Sequence, residues 1–137
     1  LSVPVKIVRD YTLPKWVNGD TLVFASSYSG NTEETLSAFQ AARARGAKLI
    51  SVTSDGQLGQ LSQAWHVPTL PVPDTGAPRA AVGYSLFYLM GALHKLGYVT
   101  ITEEEVNEAF QILDDWNLKI RPDVPTPNNK AKQLAMA

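Results

Sequence analysis

Six consecutive residues, Ser27-Tyr28-Ser29-Gly30-Asn31-Thr32, set three aliphatic hydroxyls, a phenol, an amide and a glycine between an apolar run and an amphipathic one. Hydroxyls donate to anionic oxygens, and glycine lets the backbone come close to a ligand. A helix beginning just beyond them would add unsatisfied amides and the positive end of its dipole. The combination suits a phosphate group held without any basic side chain. The same residue types also serve an ordinary solvated turn, in which Asn31 caps the helix and Glu34, three residues on, is its capping-box partner. Position favours the anion, because ligands in open parallel sheets gather beyond the carboxyl ends of the strands.

The elements around these residues must supply that position. Thr21 to Ala25 is unbroken and apolar after the turn signal Asn18-Gly19-Asp20, which predicts a strand buried on both faces. The helix after the loop should run through Leu36, Phe39 and a cluster of alanines to Gly46, with Arg43 and Arg45 at the negative end of its dipole. Lys48 to Thr53 reads as the next strand, completing a βαβ unit of about 33 residues. Upstream, Val3 to Val8 alternates apolar and polar and predicts a short strand, followed by a turn at Tyr11 to Pro14. Downstream, Gln57 to Trp65 predicts a short helix, and the three prolines of Val67 to Pro73 place an extended segment at a sheet edge.

Arg79 to Leu96 is apolar nearly all round and predicts a long helix buried on more than one side, by its sheet and by another helix or a partner subunit. Thr102-Glu103-Glu104-Glu105 opens a last helix with Val106, Phe110, Leu113 and Trp116 or Asn117 along one stripe. Arg121 to Asn129 reads as a linker. Trp16, Trp65 and Trp116 are expected to pack, and His66 and His94 to be structural, since neither has a carboxylate or second histidine at relay spacing.

Composition narrows the classes. The chain has 137 residues, 12 Lys+Arg against 13 Asp+Glu and a formal net charge of −1, which leaves no basic footprint for nucleic acid or an anionic membrane. With no cysteine and two scattered histidines, no metal site is expected, and a reducing cytoplasm fits. The longest apolar run, Ala80 to Leu93, contains Gly83, Ser85 and Gly91 and falls short of the roughly 18 residues of a membrane span. No basic region followed by an apolar stretch marks a signal peptide, and a start at Leu1 points to a true start elsewhere. The nucleoside-triphosphate loop, the dinucleotide fingerprint and the Gly-x-Ser-x-Gly elbow are all missing.

The segment from Ser27 to Leu36, with a strand before it and Arg45-Gly46-Ala47 and a strand after it, resembles the sugar isomerase (SIS) domain. Asp10-Tyr11-x-Leu13-Pro14 and Ala77-Pro78-Arg79-Ala80-Ala81-x-Gly83-Tyr84-Ser85 narrow that resemblance to the bifunctional phosphoglucose/phosphomannose isomerases. The likeness covers nearly the whole chain, including an Asn-x-x-Lys-x-Leu-Ala pattern around Lys132 that in this family leads into a second SIS domain. It implies an α/β fold: a three-layer αβα sandwich with a parallel sheet, flavodoxin-like, its first βα unit missing here. Residues 1–120 would form a partial sugar-phosphate-binding domain and 121–137 a linker toward the second SIS domain.

The resemblance also assigns roles. Ser27, Ser29 and Thr32 match the family's phosphate ligands, with Tyr28, Gly30 and Asn31 as the supporting loop. Arg79 matches an arginine that stabilises the cis-enediolate formed as a proton moves between C2 and C1. A guanidinium at a helix start is charged at any relevant pH and suits that duty, though a capping or surface arginine would look the same. The family's catalytic base Glu, ring-opening His and a further Lys lie in parts of the pattern that this sequence does not contain. The expected partner is a phosphorylated sugar, glucose 6-phosphate or mannose 6-phosphate interconverted with fructose 6-phosphate, with no cofactor and a homodimer or the second SIS domain as protein partner. A sugar-phosphate-binding SIS domain without turnover, and the dimerisation half of a split isomerase, are the alternatives.

Overall fold

The computed structural model describes residues 3–137. They divide into two compact units, one ending at Val99 and one running from Thr100 to Ala137. This division differs from the expected one at residues 120 and 121.

The first unit is an α/β fold on a parallel sheet. Strands β1 (Leu22–Ser26), β2 (Lys48–Thr53) and β3 (Thr69–Pro71) lie in the order β1-β2-β3, with Ala25 beside Ser51 and Val52 beside Leu70. Helix α1 (Glu33–Ala44) joins the first pair and α2 (Gly56–Ala64) the second. Side chains alternate across a strand, so Val23, Ala25 and Leu49 share one face. Against that face pack Leu36, Phe39 and Ala42 of α1 together with Leu58 and Leu61 of α2, and Leu13 and Val17 close the cluster from upstream. Phe39 and Leu58 have no exposed surface, and burying a side chain of that size contributes about 1.5–3 kcal/mol each. Trp65 stacks on Phe39 at 5.3 Å, and the Arg43 guanidinium lies over the Trp65 ring at 5.6 Å. The buried hydroxyls are satisfied in a chain: Ser62 donates to the Leu58 carbonyl at 2.7 Å and its Oγ pairs with Ser51 Oγ at 2.8 Å, which in turn lies 2.8 Å from Thr69 Oγ1.

The opposite face of the sheet carries a smaller cluster, Val52 and Val72 with Ala81, flanked by Tyr28, Leu70 and Tyr88. Ala81 ends a 3-10 turn, Pro78–Ala81, that leads into helix α3 (Val82–Lys95). The expected single helix from Arg79 therefore starts as 3-10, and Tyr88 ties it back by donating its hydroxyl to the Pro71 carbonyl at 2.7 Å.

Several expectations are corrected. Val3 to Val8 forms no strand and is irregular and mostly exposed, because no neighbouring strand accepts it in the sheet. Helix α3 was expected to be buried on more than one side, yet none of its residues is buried within this unit. Its Val82, Leu86 and Phe87 are 63%, 54% and 43% exposed. Arg45 does not serve the dipole of α1; its guanidinium donates to the Pro14 carbonyl at 2.7 Å, holding the segment upstream of β1. Trp16 and Trp116 are largely exposed rather than packed. His66 stands in the left-handed region at φ 56°, ending α2 with its amide donating to the Gln63 carbonyl.

In the second unit Thr102 and Glu105 form a complete capping box at the start of α4 (Glu103–Ile120). Glu104 is held below the usual carboxylate range by its own backbone amide and by the Thr102 hydroxyl. The stretch read as a linker is instead ordered by hydrogen bonds. The side chain of Asn129, fully buried, donates to the Arg121 carbonyl at 3.0 Å and accepts from the Lys132 amide, capping a short helix α5 (Lys130–Ala135). The Lys132 ammonium donates to the Pro122 and Val124 carbonyls at 2.6 and 2.8 Å. These two residues carry the Asn-x-x-Lys spacing, and the spacing follows from those bonds. No helix among the described residues is long and apolar enough to cross a membrane.

Candidate functional site

Because all three strands run parallel, the loops after β1, β2 and β3 leave from one edge of the sheet. That carboxyl edge is where an α/β sheet offers amides and helix starts to a ligand. The first loop, residues 27–32, carries the hydroxyl cluster. Ser27, buried, takes a backbone bond from its amide to the Val52 carbonyl, and its Oγ lies 2.7 Å from Thr32 Oγ1. Two of the three expected phosphate ligands are thus in direct contact. Ser29, exposed, accepts the Asn31 amide at 3.2 Å. Helix α1 starts at Thr32 as N-cap, whose own hydroxyl is turned to Ser27 instead of to the helix. The first-turn amides of α1 therefore carry no side-chain cap, which leaves them available to an anion at the positive end of the dipole.

Asn31 is not the cap. Its side-chain oxygen accepts the Gln57 amide at 3.0 Å, binding the first loop to the start of α2. The two loops are laced further: Ser54 donates its amide and its hydroxyl to the Tyr28 carbonyl at 3.0 and 2.6 Å, and the Leu58 amide donates to the Gly30 carbonyl at 2.9 Å. Gly30 is required by this closeness. At φ +69° a Cβ would sit 1.7 Å from the Asp55 carbonyl oxygen, and at Gly56, φ +74°, it would meet the Ser29 carbonyl at 2.3 Å.

The third loop reaches the first through Tyr28. Its hydroxyl accepts the Thr75 amide at 2.9 Å and donates to the Asp74 carboxylate at 3.0 Å. The Gly76 amide and the Tyr28 hydroxyl hold that carboxyl below its ordinary range. A depressed carboxyl pKa stabilises the folded loop above the ordinary Asp range, and this contribution is lost as the pH falls through the lowered value. Arg79 lies in the 3-10 turn that follows this loop and is exposed. Glu33 and Glu34 sit in the first turn of α1, and Glu33 accepts the Tyr11 hydroxyl at 3.1 Å, which raises the pKa of that phenol. The Tyr28, Asn31 and Ser54 crosslinks were not expected from the sequence; Ser54 followed by Asp55-Gly56 at a strand end was the available signal.

The SIS domain pattern matches residues 13–90. The chain belongs to the SIS domain family. It is 42% identical over 135 residues to the bifunctional phosphoglucose/phosphomannose isomerase of Caldicellulosiruptor bescii, covering 98% of this chain and 40% of that protein. It is 40% identical over 132 residues to the protein of the same name from Aquifex aeolicus, covering 96% and 37%. A D-glucosamine-6-phosphate 4-epimerase from Sulfolobus acidocaldarius is 35% identical over 96 residues, 69% of this chain and 31% of its own length. The SIS chain thus spans two fifths or less of the length of these curated relatives.

Proposed function

We propose that this SIS chain carries the phosphate-holding part of an aldose–ketose isomerase that interconverts glucose 6-phosphate or mannose 6-phosphate with fructose 6-phosphate. The observation that carries the reading is the hydroxyl pair Ser27 and Thr32, 2.7 Å apart at the uncapped start of α1 on the carboxyl edge of the sheet. When phosphate binds, the Ser27–Thr32 contact opens, and Ser27, Ser29, Thr32 and the first-turn amides of α1 donate to the phosphate oxygens, with Tyr28, Gly30 and Asn31 shaping the loop. A dianion there is held by hydrogen bonds and a dipole, which is why a near-neutral chain needs no basic patch.

In the reaction the proton on C2 of the aldose is removed and a proton is delivered to C1, through a cis-enediolate. Arg79 is assigned to the enediolate oxygens, where charge develops and where a permanently charged, five-donor group stabilises the transition state more than the ground state. The proton transfers require a base of tuned pKa within reach of C1 and C2, a duty assigned to a second SIS domain. Helix α3, apolar and unburied within its unit, is the surface assigned to that association. A charged sugar phosphate does not cross a membrane unaided, and the working compartment is assigned to the cytoplasm.

Titration of the chain with glucose 6-phosphate should show saturable binding that weakens about tenfold on Ser29→Ala, the loss of one hydrogen bond to a charged group. Unchanged binding in that variant rejects the loop as the phosphate site. A second reading is a sugar-phosphate-binding domain without turnover. It is separated from the first by restoring turnover on addition of the remaining part of a relative.

A further inference from the structure

The loop that carries Arg79 makes short-range bonds of its own, Thr75 Oγ1 to the Ala77 carbonyl at 3.0 Å and the Gly76 amide to Asp74 at 2.9 Å, and its tie to the phosphate loop is a separate one. Thr75 and Asp74 are bound by the Tyr28 hydroxyl, which accepts the Thr75 amide at 2.9 Å, donates to Asp74 at 3.0 Å and stands 3.3 Å from Thr75 Oγ1. On the far side of Arg79, Ala81 is buried against Val52 and Val72, in a cluster on which the Tyr28 ring packs. Arg79 is therefore bracketed between two points, the Tyr28 hydroxyl on one side and the apolar cluster that Tyr28 flanks on the other. Four residues of chain span at most about 14 Å and two residues about 7 Å. With both ends tied, the Arg79 backbone has little range relative to the loop that begins at Ser27.

We propose that Tyr28 is a positioning residue: its hydroxyl latches the loop after β3 to the phosphate loop and so sets the place of the Arg79 guanidinium relative to the bound phosphate. The proposal rests on the reading of the phosphate loop and of Arg79 given above and adds to it a residue that touches neither the sugar nor its phosphate. The phosphate group lies within the first loop and does not need the latch. The reacting carbons lie several bonds away from it, and only a fixed distance between loop and guanidinium lets one substrate engage both. A side chain displaced by about 1 Å at the reacting end is enough to lose most of the benefit of orientation. Tyr28 thus governs recognition of the reacting end and leaves recognition of the phosphate intact.

The test uses two probes on the 137-residue chain: inorganic phosphate, and an aldonohydroxamate 5-phosphate whose planar anionic head stands in for the enediolate. Tyr28→Phe keeps the ring in its apolar cluster and removes the hydroxyl. It should weaken the hydroxamate about tenfold and inorganic phosphate by less than about twofold. In an Arg79→Ala background the same substitution should weaken the hydroxamate by no more than about twofold, because Tyr28 acts through Arg79. Asp74→Ala removes one bond of the latch together with the Gly76 turn, leaves the ring untouched, and should also weaken the hydroxamate more than inorganic phosphate. Amide exchange at Thr75 should quicken in Tyr28→Phe. Equal losses in both backgrounds, equal losses for both probes, or an unchanged Thr75 amide would each overturn the latch. If Arg79→Ala binds the hydroxamate as tightly as the parent chain, or Ser29→Ala leaves phosphate binding unchanged, the failure is that of the underlying site assignment, and the latch falls with it.

Discussion

At the carboxyl edge of the sheet, residues 27–32 and 53–57 close on each other through side-chain and backbone hydrogen bonds, and two glycines stand where a methyl group would strike a carbonyl. Helix α3, in the same unit, buries none of its residues and exposes Val82, Leu86, Phe87, Leu89 and Met90. The difference separates two kinds of sequence demand. The loops satisfy their polar groups among themselves, so their shape follows from their own residues. On α3 the half-buried positions are Ser85, Tyr88, Ala92 and Leu93, with Tyr88 packed on the small cluster of Val52, Val72 and Ala81, while Val82, Leu86, Leu89 and Met90 stay exposed. The edge of the sheet can thus close on itself in a chain whose apolar helix stays largely exposed.

The comparison breaks most visibly if the edge is not the stable region. Phe39→Ala, at a fully buried position under the sheet, should cost about 3–5 kcal/mol in urea unfolding, the usual result of emptying a ring-sized core site. A loss under 1 kcal/mol would mean that the core beneath the loops is loosely packed. Gly30→Ala comes next. It forces an L-residue to φ +69° and puts a methyl group into the Asp55 carbonyl. About 2–3 kcal/mol of stability should go, together with saturable phosphate binding. Binding retained at the parent level would show that the two loops need not touch to form the site.

How much of this was legible depends on the range of the interaction. The strand Lys48–Thr53 matches the sequence reading at both ends, because an unbroken Leu-Ile-Ser-Val between Gly46 and Ser54-Asp55-Gly56 leaves little choice. The start of the last helix at Thr102 was local as well, and the structure closes it with a capping box to Glu105. Alternation alone misled at Val3 to Val8, since a strand also needs a neighbour to pair with. Asn31 was misread for a different reason: both Asn31 and Thr32 can cap, and the choice was decided by the Gln57 amide, 26 residues away. The Tyr28 contacts to Asp74 and Thr75 span 46 and 47 residues, so the hydroxyl-rich junction could be located from local spacing while its bracing could not.

The smallest effect is expected where the sequence is most apolar. Leu86 lies on α3 and is 54% exposed, so replacing it with a polar residue removes few contacts within the unit. Leu86→Gln should change the unfolding free energy of the chain at low micromolar concentration by no more than about 0.5 kcal/mol, the ordinary range of a surface substitution. The contrast with Phe39→Ala, both being large apolar side chains on helices, is the quantity to measure. If the two variants lose comparable stability, α3 is covered in solution, and the loss should then grow with protein concentration when the cover is a second copy. If the loss is small at every concentration, the apolar face of α3 contributes nothing to the stability of this chain by itself, and its residues answer to contacts made elsewhere.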